Sequence, residues 1–302
     1  MLYWIKLAEG GVFLGYLGYF LILFGICTNL SESTLIKKYN SRYSAGGFFF
    51  TALISLFSMV FFMVTDQNGF YAPKELWVYA VTAGVLYCIA SFLTYVALRC
   101  GSFAISILIL SYGLVFKIIY GLVFLKEEAN IFTYLGLVVI MVSLFLTRAE
   151  KTEKSEKKMS LKWLVSIIIS FFGSGMFGVI SRMQQIRFDN SCTNEFMIIS
   201  LGISFLFLSI AGIVKDRENI KMILKYGSLY ACLAGISNGL TNYTTLIVNE
   251  LLPISLSAPI RAGGKIVITF LISKLFFQEE FLKRQIWGVA LGAFALILLN
   301  IK

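Results

Sequence analysis

The sequence predicts an all-α membrane protein of ten transmembrane helices, arranged as two inverted five-helix repeats. Three observations lead there. The composition is too apolar for a water-soluble domain, ten apolar runs reach spanning length, and one motif recurs at a fixed offset. The chain is 58% hydrophobic and only 14% charged, whereas soluble domains run near half apolar and a quarter charged.

The ten runs are 13–36, 44–65, 75–98, 102–125, 131–148, 161–184, 194–214, 222–248, 253–276 and 282–300. Each is close to the ~20 residues that a ~30 Å hydrocarbon core requires. The connections are short, with one exception. Residues 148–162 carry Arg148-Ala149-Glu150-Lys151-Thr152-Glu153-Lys154 and continue in the same mixed-charge vein. This stretch reads as a solvated tether. It divides the chain into 1–148, a charged linker 149–160, and 161–302.

The recurring motif is Phe124-Leu125-Lys126-Glu127-Glu128, which returns as Phe276-Phe277-Gln278-Glu279-Glu280. Eight residues after each second glutamate stands a glycine, Gly136 and Gly288. The offset of 152 residues also aligns Leu144 with Leu296 and Leu146 with Leu298. Five helices per half is an odd number, so two related halves joined by one loop cross the bilayer in opposite directions. Inverted repeats of this kind build many transporters, with substrate held between the halves.

Charge sets the expected orientation. Seventeen basic residues fall on the side that holds Lys37, Arg99, the linker, Lys215 and Lys274, against six on the other. The positive-inside rule makes the richer side cytoplasmic. The linker is then inside and both termini outside. The same rule accounts for the net charge of +10, and no nucleic-acid partner is expected. The N-terminus lacks the pattern of a cleavable signal.

Other chemistry is thin. Histidine is absent, which removes the commonest general base and metal ligand. Cys27, Cys88, Cys100, Cys192 and Cys232 show no metal-like spacing and read as small apolar residues. No metal, cofactor or enzymatic activity is expected. A lipid-modifying membrane enzyme is a remote alternative, because no nucleophile–base set or phosphate loop is visible.

Ten helices, the five-plus-five repeat and an acidic residue closing the fourth helix of each half resemble the drug/metabolite transporter superfamily, its EamA-like branch above all. The stretches that carry the resemblance run from Ser106 through Glu128 to Gly136, and from Pro253 through Glu280 to Gly288. The resemblance implies a helical basket with a central cavity, worked by alternating access between inward-open and outward-open states. It names no cargo, since members carry metabolites, amino acids, sugar nucleotides, organic phosphates or drugs. The small multidrug branch has a membrane-embedded glutamate before a Thr-Leu-(Ile/Met)-Lys ending. That ending is present as Thr34-Leu35-Ile36-Lys37, but Asn29 stands where the glutamate would be.

Three cations fall well inside apolar runs: Lys117 in the fourth, Arg261 and Lys265 in the ninth. Intramembrane charges are costly and face a cavity or a partner. Arg261 and Lys265 are four apart and share a helix face with Ser257 and Thr269. Lys117 lies ten residues before Glu127 and Lys265 fourteen before Glu279. In an inverted repeat their depths differ by only about 6 Å, so the three cations converge on one level. Glu32, Glu195 and Glu250 are all expected near helix ends. An anionic cargo is therefore favoured over a zwitterionic or neutral one, with structural pairing of the cations as the bland alternative. Without a central carboxylate, proton coupling lacks a carrier, and facilitated flux or exchange is expected.

Further polar residues fit a cavity. Asn238, Thr241, Asn242 and Thr245 form a stripe at helical spacing in the eighth run, and Tyr87, Ser91, Thr94 and Tyr95 punctuate the third. Gly173, Gly175 and Gly178 suit close helix approach. Pro253, Pro259, Gly263 and Gly264 crowd the ninth run, where they either bend the helix beside the cations or serve packing. The expected protein is a secondary transporter of the plasma membrane for a small polar metabolite. Lys117, Arg261 and Lys265 would hold a negative group, while Asn29, Tyr112, Asn238 and Asn242 orient the rest by hydrogen bonds. Exporting amino acids or drugs is the alternative. The expected partners are a small-molecule substrate and the lipid bilayer, with a homodimer left open.

Overall fold

A computed structural model of the chain describes residues 11–43, 46–66, 69–126, 131–147, 161–278 and 283–299. The charged linker, the chain termini and the repeated glutamates Glu127, Glu128, Glu279 and Glu280 lie outside the described residues. Among those described there is no β-strand, and every apolar run forms helix.

The helices are α1 (Gly11–Arg42), α2 (Gly47–Thr65), α3 (Lys74–Cys100), α4 (Phe103–Ser111), α5 (Leu114–Val123), α6 (Ile131–Thr147), α7 (Leu161–Arg187), α8 (Thr193–Lys215), α9 (Ser228–Leu251), α10 (Ile254–Phe276) and α11 (Lys283–Leu299). Together α4 and α5 fill the fourth apolar run and meet at Tyr112–Gly113. A 3₁₀ turn at Arg217–Asn219 and a π turn at Ile223–Gly227 lead into α9. Six segments are long and apolar enough to cross a membrane: Tyr16–Arg42, Gly47–Thr65, Lys74–Cys100, Phe103–Val123, Leu161–Arg187 and Thr193–Lys215. They fit an all-α membrane protein.

Helix starts follow local chemistry. Ser102 caps α4 by accepting from Ile105 N, and Pro253 precedes α10 with φ −54° and ψ 142°, where its missing N–H costs nothing. At the end of α3 the Lys37 ammonium donates to Leu98 O at 2.8 Å and Gly101 O at 2.7 Å. A cation there satisfies carbonyls that the helix itself leaves open.

The packing is layered by partner. The most closely packed pairs are α1 with α9, α3 with α7, α2 with α8, and α6 with α11; α10 lies against α11, α4, α5 and α1. Hydroxyls tie these seams, as expected where apolar side chains gain little by leaving lipid. Thr28 meets Thr241 at 2.8 Å, Thr94 meets Ser170 at 2.6 Å, and Ser55 meets Ser204 at 3.1 Å. Ser143 in α6 donates to Gly288 O in α11 at 2.6 Å.

End-to-end contacts show which helix ends lie together. Phe49 N donates to Asp216, Phe103 packs on Phe277, and Trp163 donates to Ser106. With the Lys37 contacts, these gather Lys37, Arg99, Lys162, Lys215 and Lys274 at one end. At the opposite end Arg187 pairs with Glu75 at 3.1 Å and Tyr71 N donates to Glu195.

Two apolar clusters frame the interior. Toward the basic end Tyr39 stacks on Phe50 at 3.8 Å, with Tyr95 and Leu98 beside them. Toward the other end Phe62, Leu76, Phe196 and Leu201 are fully buried. Helix α2 contributes to both, and the buried Ser58 lies between Phe50 and Phe62 on the same helix. The polar centre of the molecule begins there.

Candidate functional site

A cavity of about 280 Å³ opens inside the bundle. It is small beside the ~300–1,000 Å³ of ordinary ligand pockets. Six of the seven residues singled out in the sequence line it: Lys117, Arg261, Lys265, Asn29, Asn238 and Asn242. They come from α5, α10, α1 and α9, so helices from both halves of the chain contribute. Of the remaining polar residues singled out, Tyr87, Ser91, Thr94, Thr241, Thr245 and Ser257 also line it.

The seventh residue is placed elsewhere. Tyr112 is 2% exposed and packs with Leu108, Ile266 and Ala295. It does not line the cavity. It sits at the α4–α5 junction, where the chain tightens, and its ring is directed into the α10–α11 side. Thr269 and Tyr95, also read as polar face residues, are buried without lining the cavity.

The cations are held by contrasting means. Arg261 donates to the Thr245 hydroxyl across the α9–α10 contact. Lys117 and Lys265 make no hydrogen bond or ion pair with any described residue. Lys117 lies within electrostatic range of both Arg261 and Lys265, so like charges are gathered rather than dispersed. Lys117 reaches the cavity past Gly178 of α7: a Cβ on Gly178 would run into Lys117 Cε. The glycine is a notch for the lysine stem, a role beyond the helix approach expected of it.

One charged lining residue, Glu32, is not legible from the hydropathy. By hydropathy the first apolar run ends at residue 36, which puts Glu32 at a helix end. The helix continues to Arg42. Glu32 is therefore roughly 15 Å from that end at 1.5 Å per residue, and it lines the cavity. The signal that could have found it was the amphipathic stretch Lys37-Lys38-Tyr39-Asn40-Ser41-Arg42, which extends a helix without extending its hydropathy.

A hydrogen-bond hub fixes Glu32. Asn238 Nδ2 donates to Glu32 Oε1 at 3.0 Å. The amide presents its NH₂ to the carboxylate. Its oxygen then faces three donors: Ser58 Oγ at 2.9 Å, Tyr87 OH at 2.9 Å and Asn242 Nδ2 at 3.0 Å. The Asn238 oxygen is thus saturated, and the stripe of α9 does two jobs, lining the cavity and bonding α1, α2 and α3. Nearer the α9 end, Gln185 donates to Leu246 O and accepts from Asn249.

No protein family matches the chain, and no curated relative matches it. Solved structures do. One crystal structure of a protein, 15% identical, covers 93% of this chain and 98% of its own, with a TM-score of 0.67. The shared length and score show a common fold. Among the described residues no group of His, Cys, Asp and Glu could hold a metal ion.

Proposed function

We propose that the chain is a secondary transporter of the plasma membrane, an EamA-like member of the drug/metabolite transporter superfamily. It has ten transmembrane helices in two inverted halves and moves a small polar, anionic metabolite by alternating access. The observation that carries this reading is the gathering of Lys117, Arg261 and Lys265 on one cavity with a single carboxylate, Glu32, among its lining residues. A surplus of cations in a wet cavity binds an anion by charge-assisted hydrogen bonds.

The packing supports inverted halves. Exchanging each spanning segment with the one five places on turns the α1–α9 seam into the α7–α3 seam, and it leaves α2–α8 and α6–α11 unchanged. All four seams are present. The exchange also carries Gly84, where a Cβ would lie 2.8 Å from Ser200 O of α8, onto Gly235, where it would lie 2.7 Å from Ile54 O of α2. Two close approaches of helix to foreign backbone thus recur 151 residues apart, next to the motif offset. The repeated glycines Gly136 and Gly288 are both buried. The end that gathers Lys37, Arg99, Lys215 and Lys274 is the cytoplasmic one by the positive-inside rule, which leaves both termini outside.

Purified protein in detergent should be stabilised by an anion in a screen of organic phosphates, carboxylates, amino acids and nucleotide sugars, since a ligand of the folded state raises apparent stability by mass action. The same anion should show saturable flux into proteoliposomes. Stabilisation by no anion would overturn the reading, and turnover of a compound in detergent would make the chain an enzyme instead.

A further inference from the structure

We infer that the cavity has a second, cation-accepting pole built on Glu32, with Asn29 beside it, so that its cargo is an acidic zwitterion, a small molecule with an amino group as well as its negative groups. This rests on the transport reading above and sharpens its substrate class.

Glu32 and Asn29 are three residues apart on α1 and so share a face, and both line the cavity. Asn29 Oδ1 is buried and has no hydrogen-bond partner. Such an acceptor costs free energy unless something donates to it. Glu32 Oε1 takes one bond from Asn238, and the carboxylate has lone pairs to spare. The carboxylate therefore offers an acceptor at the cavity wall, with the unsatisfied Asn29 oxygen sealed beside it. An ammonium group supplies three N–H donors and a positive charge, which suits the carboxylate.

The obvious rival is that Glu32 merely neutralises Lys265. The two are electrostatic neighbours, but no ion pair within 4.0 Å joins them. Asn238 turns Glu32 instead, and that amide is locked by Ser58, Tyr87 and Asn242 from three helices. So much hydrogen bonding spent on aiming one carboxylate fits a positioned binding group. The charge count agrees. Three cations facing one carboxylate match a cargo that carries more negative than positive charge.

Matched pairs of ligands test this. Aspartate and succinate differ by one amino group; so do phosphoethanolamine and ethyl phosphate. Binding of each to purified full-length protein is measured by thermal shift and calorimetry. The amine-bearing member of at least one pair should bind about tenfold more tightly, the scale of one charged hydrogen bond. Glu32→Gln should erase that preference, weakening the amine-bearing member relative to its amine-free partner, while Lys265→Gln should weaken both members. Equal binding of the two members to the native protein overturns the second pole and needs no variant at all. So does a Glu32→Gln protein that keeps the preference, or one that tightens both members alike, which is what release of Lys265 from pairing would produce. If the amine-free acids bind and Lys265→Gln weakens them, the anion reading survives without the second pole. If no member of either pair binds, the second pole falls, and the anion reading stands or falls by the wider screen of anions.

Discussion

The fourth and ninth apolar segments align at the 152-residue offset, lie against each other, and supply all three cavity cations, yet their backbones differ. The ninth carries Pro259, Gly263 and Gly264 and runs as one unbroken helix, α10. The fourth has Gly113 and no proline, and it is interrupted, α4 giving way to α5. The interruption is a tightening rather than a gap. Tyr112 N bonds Ile109 O at 3.1 Å and Gly113 N bonds Leu110 O at 3.1 Å, three residues back instead of four. Ser111 Oγ takes up Ile107 O at 2.7 Å. In α10 the breakers are spent otherwise. Pro259 has no N–H to give Ser255 O, yet α10 runs on past it. Gly264 faces α1, where a Cβ would lie 2.7 Å from Ile26 Cδ1. Inside a membrane bundle, then, a helix yields where neighbours can take up its carbonyls, and glycine marks close approach more than bending.

The comparison assigns unequal shares of the charge. α10 supplies two cations on a continuous helix, one of them braced by Thr245, and α5 supplies one. The double variant Arg261→Gln/Lys265→Gln should lose at least about 100-fold in anion affinity, and Lys117→Gln about tenfold, at ~1.5–3 kcal/mol per charged hydrogen bond. Titration calorimetry with the anion chosen by the stability screen measures both. A larger loss from Lys117→Gln than from the double variant would invert the shares and put the anion on the interrupted segment.

The next effect is smaller and isolates Lys117. If Gly178 is the notch that admits its stem, Gly178→Ala should displace the ammonium and cost nearly what Lys117→Gln costs. Combined, the two changes should cost little more than either alone, because groups in contact do not add. Additive losses in that double-mutant cycle would mean that Gly178 acts through packing of α7 and not through the lysine.

Much of this was legible beforehand. The apolar runs, from Phe48-Phe49-Phe50 to Ile297-Leu298-Leu299, foretold where helices form because lipid leaves the backbone no other way to satisfy itself. The three cations and the α9 stripe were visible as polar residues with no reason to be in hydrocarbon. Glu32 was not, because the helix that carries it ends in residues that read as loop. Tyr112 was misjudged for a different reason. Helical spacing gives a residue's face only while the helix keeps its pitch, and the turn tightens at Tyr112. The Asn238 hub was out of reach as well, since Ser58, Tyr87 and Glu32 meet it only through tertiary packing.

The smallest effects test the two backbones themselves. Gly264→Ala should destabilise by ~1–3 kcal/mol, the ordinary cost of overpacking, read as a drop in midpoint in a thermal or denaturant scan. Ile26→Val deletes the methyl group that the new Cβ would meet and should recover most of it. Failure of that rescue would return Gly264 to a bending role. Gly113→Ala should be milder still. Its φ of −53° and ψ of −19° suit alanine, and the helix gains up to ~1 kcal/mol from the exchange. Against that gain, a Cβ would sit 3.3 Å from Leu110 O, Phe171 O and Ser174 Oγ, so the two nearly cancel. Equilibrium binding should not move. Flux should, because 3₁₀ geometry inside a helix is a place where functional hinges form, and alanine stiffens it. A several-fold slower flux at unchanged affinity would make Tyr112–Gly113 a working joint. Unchanged flux would leave the interruption as packing alone, no different in kind from the glycines of α10.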